Sequence, residues 1–397
     1  MSGAALGEPE LARLRAVLLG LLAGEERADL ADVDEAGWLA IDRMAALHRL
    51  QPLLHHNNRD NPAIPPAIRA AWQDAHRRSA VEALVAAGEQ AHAVRLLEQA
   101  GLAPLALKGA WLAWHAYPRA GLRPMRDIDL LLTPETVVQG FDLLLANGYK
   151  VIDPQQLPTE EIVRLDKHMP PLLSPRGVVI ELHQRLWEID GRMDHTAPAA
   201  DLAAIRARAV RKDGASFLDP GDLLAHLIIH AVYDHRLDCG PLVLSDIAWL
   251  LRTSPVDWDR FWAEARRGQW LRGAGLVLAL VHSHAPDLVI PLPGDLPALP
   301  PDYAALSAAL LLQDLDTRQS AGFVATMSAG GTMAVLRRMF ARRGGKGDAH
   351  VRRDLSAEGG FAAWAGSRLI RTVRELARPD VRRQSRGLAR LSRWLDA

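Results

Sequence analysis

Cysteine is almost absent from this chain of 397 residues, in which Cys239 is the only one. A lone cysteine excludes a disulfide within the chain and is typical of a reducing compartment, so we predict a cytoplasmic location. Apolar runs long enough to span a bilayer are also lacking, and we expect no membrane span. The short run from Ala16 to Ala23 has acidic flanks and leucines at helical spacing, which favours an amphipathic helix over a signal peptide.

Lysine is scarce too, with five residues in the whole chain, and the formal net charge is zero. The charge is nevertheless unevenly distributed, because the segment from Arg337 to Ala397 contains 16 Lys and Arg against six Asp and Glu. This basic segment favours contact with nucleic acid, with a membrane surface or with the acidic remainder of the chain. A solvated helical face accounts for it as well, and the sequence leaves these alternatives open.

The length allows two or three domains, and the pattern of residues changes along the chain. Leucine and alanine at helical spacing predict a helical region over residues 1–100 and a helical domain over 191–285. Between them, short apolar runs alternate with helical segments, which predicts an α+β core over 101–190. A proline-rich linker and a basic helical region are predicted over 286–397. The core is thus embedded between N-terminal and C-terminal helical regions.

The core contains a predicted strand–helix–strand unit followed by a hairpin. Strand Leu102–Leu107 leads into helix Ala110–Tyr117, and Asp127–Leu132 is the next strand. Met169–Leu186 is predicted as a hairpin, because proline and glycine within Ser174–Gly177 stand where a type I turn favours them.

Two carboxylates alternate with apolar residues in the second of these strands. Because side chains alternate between the faces of a strand, Asp127 and Asp129 point to the same side. Neighbouring carboxylates repel each other unless a cation lies between them, and oxygen ligands of this kind suit Mg²⁺, with Mn²⁺ as the alternative ion. The pair therefore predicts a metal site.

Lys108 and Gly109 stand where the first predicted strand leads into a helix. A glycine at such a junction allows a phosphate to approach the backbone N–H groups of the helix start. A phosphate site next to an Asp-x-Asp pair indicates chemistry on a nucleoside triphosphate. We predict that Lys108 and Arg123 contact the triphosphate.

A third acid, Glu181, lies in the second strand of the predicted hairpin, on the face opposite Val178, Ile180 and Leu182. If this strand pairs beside the Asp-x-Asp strand, three carboxylates meet on one face. Two metal ions about 4 Å apart would then align an attacking hydroxyl with the α-phosphate. Glu181 would hold one ion and act as a possible base. The alternative is an edge strand with one solvated face.

These motifs together resemble the uncharacterised nucleotidyltransferase family of the polymerase-β-like superfamily. The matching residues are Leu107-Lys108-Gly109, Tyr117, Arg123-Pro124-Met125, Asp127-Ile128-Asp129-Leu130, Gly148-Tyr149 and Glu181-Leu182-His183, followed by Leu223, His226, His230-Ala231 and Asp246-Ile247-Ala248. The resemblance implies a small mixed sheet with flanking helices, Mg²⁺-dependent nucleotidyl transfer and helical domains that complete the acceptor site. Two residues depart from the family pattern, Arg126 before the Asp pair and Gln184. Arg126 either binds the triphosphate or pairs with Asp127 and competes with the metal.

Two histidines one helical turn apart, His226 and His230, suggest a different class of enzyme. Such a pair can share a metal ion, to which Asp246 would add a carboxylate, as in a metal-dependent phosphohydrolase. The nearby Asp234-His235 has the reverse of the His-Asp order that such hydrolases use. The alternative interpretations are that the two histidines pack inside a helical domain, or that they contact the nucleotide or the acceptor.

The sequence as a whole predicts a nucleotidyltransferase that moves a nucleoside monophosphate, AMP, from an NTP to an acceptor hydroxyl. Asp127, Asp129 and Glu181 are the predicted catalytic and metal-binding residues. The predicted nucleotide-binding residues are Lys108, Gly109, Arg123 and Arg126, and the candidates for acceptor or accessory contacts are His183, His226, His230 and Asp246. The acceptor is a small molecule, a peptide or a protein, with RNA less favoured. The alternatives are an inactive family member that binds a peptide, protein or RNA, and the phosphohydrolase.

Overall fold

The computed structural model describes residues 7–24, 30, 32–152, 159, 162–163, 166–187, 200–313 and 379–396. Helices surround a single mixed sheet in this part of the chain, which confirms the predicted α+β class. Of the basic segment that begins at Arg337, only the helix Pro379–Leu395 and the residue after it are described. No helix among these residues combines the length and the apolar character needed to cross a bilayer.

Four α-helices precede the sheet in the part of the chain that the structure describes. They are α1 (Glu8–Ala23), α2 (Glu35–Leu47), α3 (Gln51–Asn57) and α4 (Pro66–Gln99). The side chain of Asp34 accepts a hydrogen bond from a backbone N–H in the first turn of α2 and so caps its start. Gly24 ends α1 in the left-handed conformation that glycine adopts without strain. Leu14, Leu18 and Leu22 of α1 are buried, as expected for the predicted amphipathic helix.

A mixed sheet of seven strands lies at the centre of the fold. Its strands are β1 (Leu105–Ala106), β2 (Asp127–Leu131), β3 (Lys150–Val151), β4 (Leu172–Leu173), β5 (Val179–His183), β6 (Val210–Lys212) and β7 (Ala215–Phe217). They lie in the order β3-β4-β5-β2-β1-β7-β6, and β2 runs parallel to β5 as β1 does to β7. The last two strands follow residue 190, so the sheet takes residues from both sides of that predicted boundary.

Strands β2 and β5 lie side by side in the sheet. Because successive side chains of a strand point to opposite faces, the two faces of this pair carry different residues. One face presents apolar side chains to the core, namely Ile128, Leu130, Ile180 and Leu182. The other face presents the polar side chains Asp127, Asp129, Glu181 and His183. The predicted hairpin is confirmed, because β4 pairs antiparallel with β5 across the turn before Val179.

The segment after β1 differs in detail from the prediction. Only Leu105–Ala106 of the predicted strand is assigned to the sheet. The predicted helix begins as one short turn, α5 (Gly109–Trp111), and continues as a π-helix, Leu112–Ala116. Lys108 enters this turn with φ 38°, a conformation that is strained for any residue with a Cβ. Both π-helical turns and strained residues often occur at functional sites.

Helices account for most of the described remainder. Helix α6 (Val137–Ala146) follows β2, and the later helices are α7 (Leu202–Ala207), α8 (Pro220–Ile229), α9 (Leu242–Thr253), α10 (Trp258–Arg267), α11 (Leu271–His284), α12 (Tyr303–Leu311) and α13 (Pro379–Leu395). Helix α8 continues as a second π-helix, His230–Asp234. Because α9 packs against the π-helix Leu112–Ala116, the second helical region contacts the segment that follows Lys108.

Candidate functional site

Asp129 and Glu181 form the centre of the candidate site. They stand at the same register of β2 and β5, so their side chains project from the same face beside each other. His183 projects from that face as well, and its Nε2 lies 2.9 Å from Asp129 Oδ1 and 3.5 Å from Glu181 Oε2. The condition for a shared site, that the hairpin strand pairs with the Asp-x-Asp strand, is met.

Two cations contact the buried carboxylate of Asp129. Lys108 places its Nζ 3.3 Å from Oδ2, and the His183 ring contacts Oδ1. Burial by itself would raise the pKa of Asp129, but the charges of Lys108 and His183 outweigh burial and hold that pKa well below its usual value. Asp129 is therefore ionised at neutral pH and attracts cations.

Asp127 lies on the same face, closer to solvent. Burial, together with the negative charges of Asp129 and Glu181, raises the pKa of Asp127 from 3.8 to about 6. The three carboxylates thus repel one another, and a bound cation would relieve this repulsion.

Glu181 is held in its ionised form by two histidines. His183 and His168 approach its carboxylate, with His168 Nε2 3.8 Å from Oε2. Burial opposes ionisation, but the hydrogen bond from His183 and the charge of His168 lower the pKa of Glu181. Burial would also lower the pKa of His183, yet Asp129 and Glu181 raise it. The two acids thus favour the protonated form of the histidine ring between them.

Donor atoms of Asp129, Glu181 and His183 lie within 4.8 Å of one another, close enough for one ion to contact all three. Carboxylate oxygens suit Mg²⁺ and Mn²⁺, and the imidazole is more typical of iron, nickel, copper and zinc ions. The residues present therefore fit a divalent cation. This group of three possible metal ligands includes His183, whereas the three metal ligands predicted from the sequence included Asp127 in its place.

A cleft of about 480 Å³ opens over these side chains. Every residue predicted for the site lines it except His226. The cleft also includes Arg49, Lys167 and His168, which the sequence reasoning missed. The scarcity of lysine was an unused signal, because two of the five lysines, Lys108 and Lys167, lie here.

Gly109 is closely packed even without a phosphate. A Cβ at this position would lie 2.7 Å from Nη1 of Arg123 and 3.1 Å from Sδ of Met125. The small residue is thus required by its neighbours in the protein, in addition to any need for backbone access.

Arg123 and Asp246 are joined in a buried ion pair. Arg123 donates from Nε and Nη2 to the two carboxylate oxygens of Asp246, over 2.8 and 2.9 Å. The hydroxyl of Tyr117 donates to the same carboxylate over 2.9 Å. Asp246 is therefore engaged within the protein, and Arg123 presents only part of its guanidinium to the cleft.

Comparison with known proteins agrees with this geometry. The family model described as "Uncharacterised nucleotidyltransferase" matches residues 34–286, which is more than half of the chain. The chain belongs to this family. No curated protein sequence matches it. The match includes the Asp-x-Asp strand, the hairpin and the helices that carry His226 and Asp246, as the sequence resemblance predicted.

The two helical histidines differ in position, because His230 lines the cleft and His226 does not. His226 is fully buried and neither of its ring nitrogens has a partner among the described residues. Burial, followed by the charge of Lys108, lowers the pKa of His226 and of His230 well below the usual value, so both rings are neutral. Within the described part of the chain neither ring belongs to a group of three metal-binding side chains, which disfavours the phosphohydrolase arrangement.

Arg126 is exposed and lines the outer part of the cleft. Among the residues that the structure describes, it forms no ion pair with Asp127 or with another acid. The alternative in which Arg126 neutralises Asp127 and competes with a metal is therefore not the arrangement seen here.

Proposed function

We propose that the protein is a Mg²⁺-dependent nucleotidyltransferase that moves AMP from ATP to an acceptor hydroxyl and releases pyrophosphate. The observation that supports this best is the register of β2 and β5, which brings Asp129 and Glu181 together on the face that also carries Asp127. Family membership supports the reaction class. The lone cysteine agrees with a cytoplasmic enzyme.

Asp127, Asp129 and Glu181 would hold the metal, with His183 able to complete the coordination of one ion. Bound Mg²⁺ or Mn²⁺ would neutralise the charge of the triphosphate and of the leaving pyrophosphate. In its absence His183 and Lys108 balance the charge of Asp129.

Lys108 and Gly109 would bind the triphosphate. The N–H groups at the start of α5 are near Lys108, whose ammonium already lies at the acidic cluster. Since Asp246 holds Arg123 through two hydrogen bonds, we assign Arg123 chiefly to positioning the loop before β2 and only its Nη1 edge to the nucleotide. Arg126 lies farther out, and its role is taken up below.

Glu181 would accept the proton of the acceptor hydroxyl. The hydroxyl oxygen forms a bond to the α-phosphorus while the bond from that phosphorus to the bridging oxygen breaks, and pyrophosphate leaves. An ionised carboxylate is needed to accept the proton, and His183 and His168 keep Glu181 ionised. His183 is expected to orient Glu181 through the contact of 3.5 Å.

The test is incubation of the full-length purified chain with Mg²⁺ and each of the four NTPs, labelled at the α-phosphate, together with candidate acceptors. Release of pyrophosphate together with a labelled acceptor is the expected result. Asp129→Asn should abolish it, and Asp74→Asn, an exposed acid paired with Arg77, is the control. Release of phosphate would indicate a phosphohydrolase, and binding without turnover would indicate an inactive family member that acts as a binding protein.

A further inference from the structure

A second cavity, of about 600 Å³, adjoins the cleft beyond Asp127. It lies between α4 and the turn that joins β4 to β5. Its lining is mixed. Apolar side chains that include Val81, Val85, Met125 and Val178 stand beside the polar and charged side chains of Arg78, Ser79, Glu82 and Arg176. A volume of this size is typical of a site for a small organic molecule.

Two arginines stand where the second cavity meets the cleft. Arg49 and Arg126 line both spaces, together with Asp127. Arg49 follows His48, the C-cap residue of α2, and adopts the left-handed φ of 56°. Among the described residues neither arginine forms an ion pair with a carboxylate.

The surroundings of Arg49 disfavour its positive charge. Burial and then the charge of Arg126 lower the pKa of Arg49, against the weaker opposing effects of Asp127 and Glu82. A half-buried cation without a partner is unfavourable, and an oxyanion bound between two guanidinium groups removes that cost. The second cavity thus combines an anion-binding edge with a lining that is in part apolar.

We propose that the second cavity binds the acceptor, and that the acceptor is a small molecule with a carboxylate or phosphate group attached to an apolar body. The oxyanion binds Arg49 and Arg126, and the apolar body contacts Val81 and Val85 on α4. Asp127 lies between this cavity and Asp129, so the acceptor would lie beside the acidic cluster. The description of this ligand as an acceptor rests on the proposed nucleotidyl transfer, whereas the proposed binding site does not depend on it.

The test measures binding by calorimetry with the full-length chain in the absence of nucleotide. The probes are phenyl phosphate, phenylacetate and, as the neutral comparison, benzyl alcohol; inorganic phosphate reports the anion site alone. We expect saturable binding of phenyl phosphate or phenylacetate and none of benzyl alcohol. The anionic probe that binds shows whether the site prefers a phosphate or a carboxylate group. Arg49→Gln and Arg126→Gln should each weaken that binding by about tenfold or more, because each removes a charge-assisted hydrogen bond.

Arg77→Gln is the matched control, since Arg77 also lies on α4 but is exposed and paired with Asp74. It should leave probe affinity unchanged. The proposal is overturned if neither anionic probe binds saturably, or if both arginine variants bind it as the wild type does. It is also overturned if the variants lose ATP affinity as strongly as probe affinity, because Arg126 and Arg49 then bind the triphosphate. Failure of nucleotidyl transfer would appear instead as absent pyrophosphate with probe binding intact.

Discussion

Arg123 and Asp246 form two hydrogen bonds of 2.8 and 2.9 Å although 123 positions separate them in the chain. The bond joins the loop before β2 to helix α9, and Tyr117 adds a third hydrogen bond to the same carboxylate. Strand β2 begins at Asp127, only four residues after Arg123. The ion pair therefore fixes the start of the strand that carries the acidic pair. The helical region thus positions the site without touching the reacting atoms.

We expect Arg123→Ala to lower the free energy of unfolding by about 3–5 kcal/mol, since it leaves the buried carboxylate of Asp246 without its charge partner. Denaturant unfolding measures this. Arg252→Ala is a matched control, because Arg252 makes the same bidentate contact to Asp287 at an exposed site, where a loss of at most about 1 kcal/mol is expected. If Arg123→Ala keeps full stability and weakens only ATP binding, the sequence-based assignment of Arg123 to the triphosphate is correct.

Much of the site was visible in the sequence because its determinants are local. Alternation in β2 and β5 is a property of consecutive residues, and it placed Asp127, Asp129 and Glu181 on polar faces before any pairing was known. The hairpin turn followed from proline and glycine at adjacent positions. Each of these signals needs only a few neighbouring residues.

The contacts that the sequence missed are distant ones. Nothing near Arg123 indicates that its partner is Asp246, and nothing near Arg49 indicates that an N-terminal helix brings it to the cleft. His183 was predicted as a candidate for acceptor or accessory contacts, and its contact with both Asp129 and Glu181 was not foreseen, because it depends on the register of the parallel pair β2 and β5. Such facts depend on packing between elements, which local patterns do not contain.

Asp127→Asn should stabilise the metal-free protein, and increasingly so as the pH rises. The folded protein holds the Asp127 proton more tightly than the unfolded chain does, since its pKa is raised from 3.8 to about 6. The contribution of Asp127 to the free energy of unfolding of the wild type therefore falls as the pH rises from about 4 to about 6 and stays lower above that range. The Asp127→Asn variant has no carboxyl to ionise at this position, so it does not lose this stability, which amounts to about 1–3 kcal/mol.

Urea unfolding of Asp127→Asn and wild type in EDTA, at several pH values between about 4 and about 7, measures this effect. Asp74→Asn, which changes an exposed carboxylate, should show no such trend. A stability difference that is the same at every pH would contradict the predicted electrostatic repulsion at Asp127.

Binding of a single Mn²⁺ without nucleotide should depend on His183 more than on Asp127. The donor atoms of Asp129, Glu181 and His183 lie within 4.8 Å of one another, and Asp127 does not belong to this group. We expect His183→Ala to weaken Mn²⁺ binding at least about tenfold and Asp127→Asn to weaken it less than about threefold, as measured by electron paramagnetic resonance. The reverse order would show that the Asp-x-Asp pair alone holds the ion. Asp129→Asn should abolish binding in either case.

Glu181→Gln should separate nucleotide binding from transfer. Glutamine keeps the shape of the side chain but cannot accept a proton, and it loses the charge that His183 and His168 stabilise. We expect transfer to fall by at least about 10²-fold, the low end for the loss of a general base. ATP affinity should change little, because Lys108, Gly109 and Asp129 are intact. The measurements are single-turnover rates and equilibrium binding of ATP in Mg²⁺.

His168→Gln is the informative companion to that variant, because the His168 Nε2 lies 3.8 Å from the carboxylate of Glu181. It removes one cation that lowers the pKa of Glu181 and leaves the carboxylate in place. Its rate should therefore fall mainly at low pH and recover as the pH rises, since a base with a higher pKa needs a higher pH to ionise. Glu181→Gln should stay slow at every pH. Equal and pH-independent losses in both variants would mean that Glu181 positions the acceptor and accepts no proton.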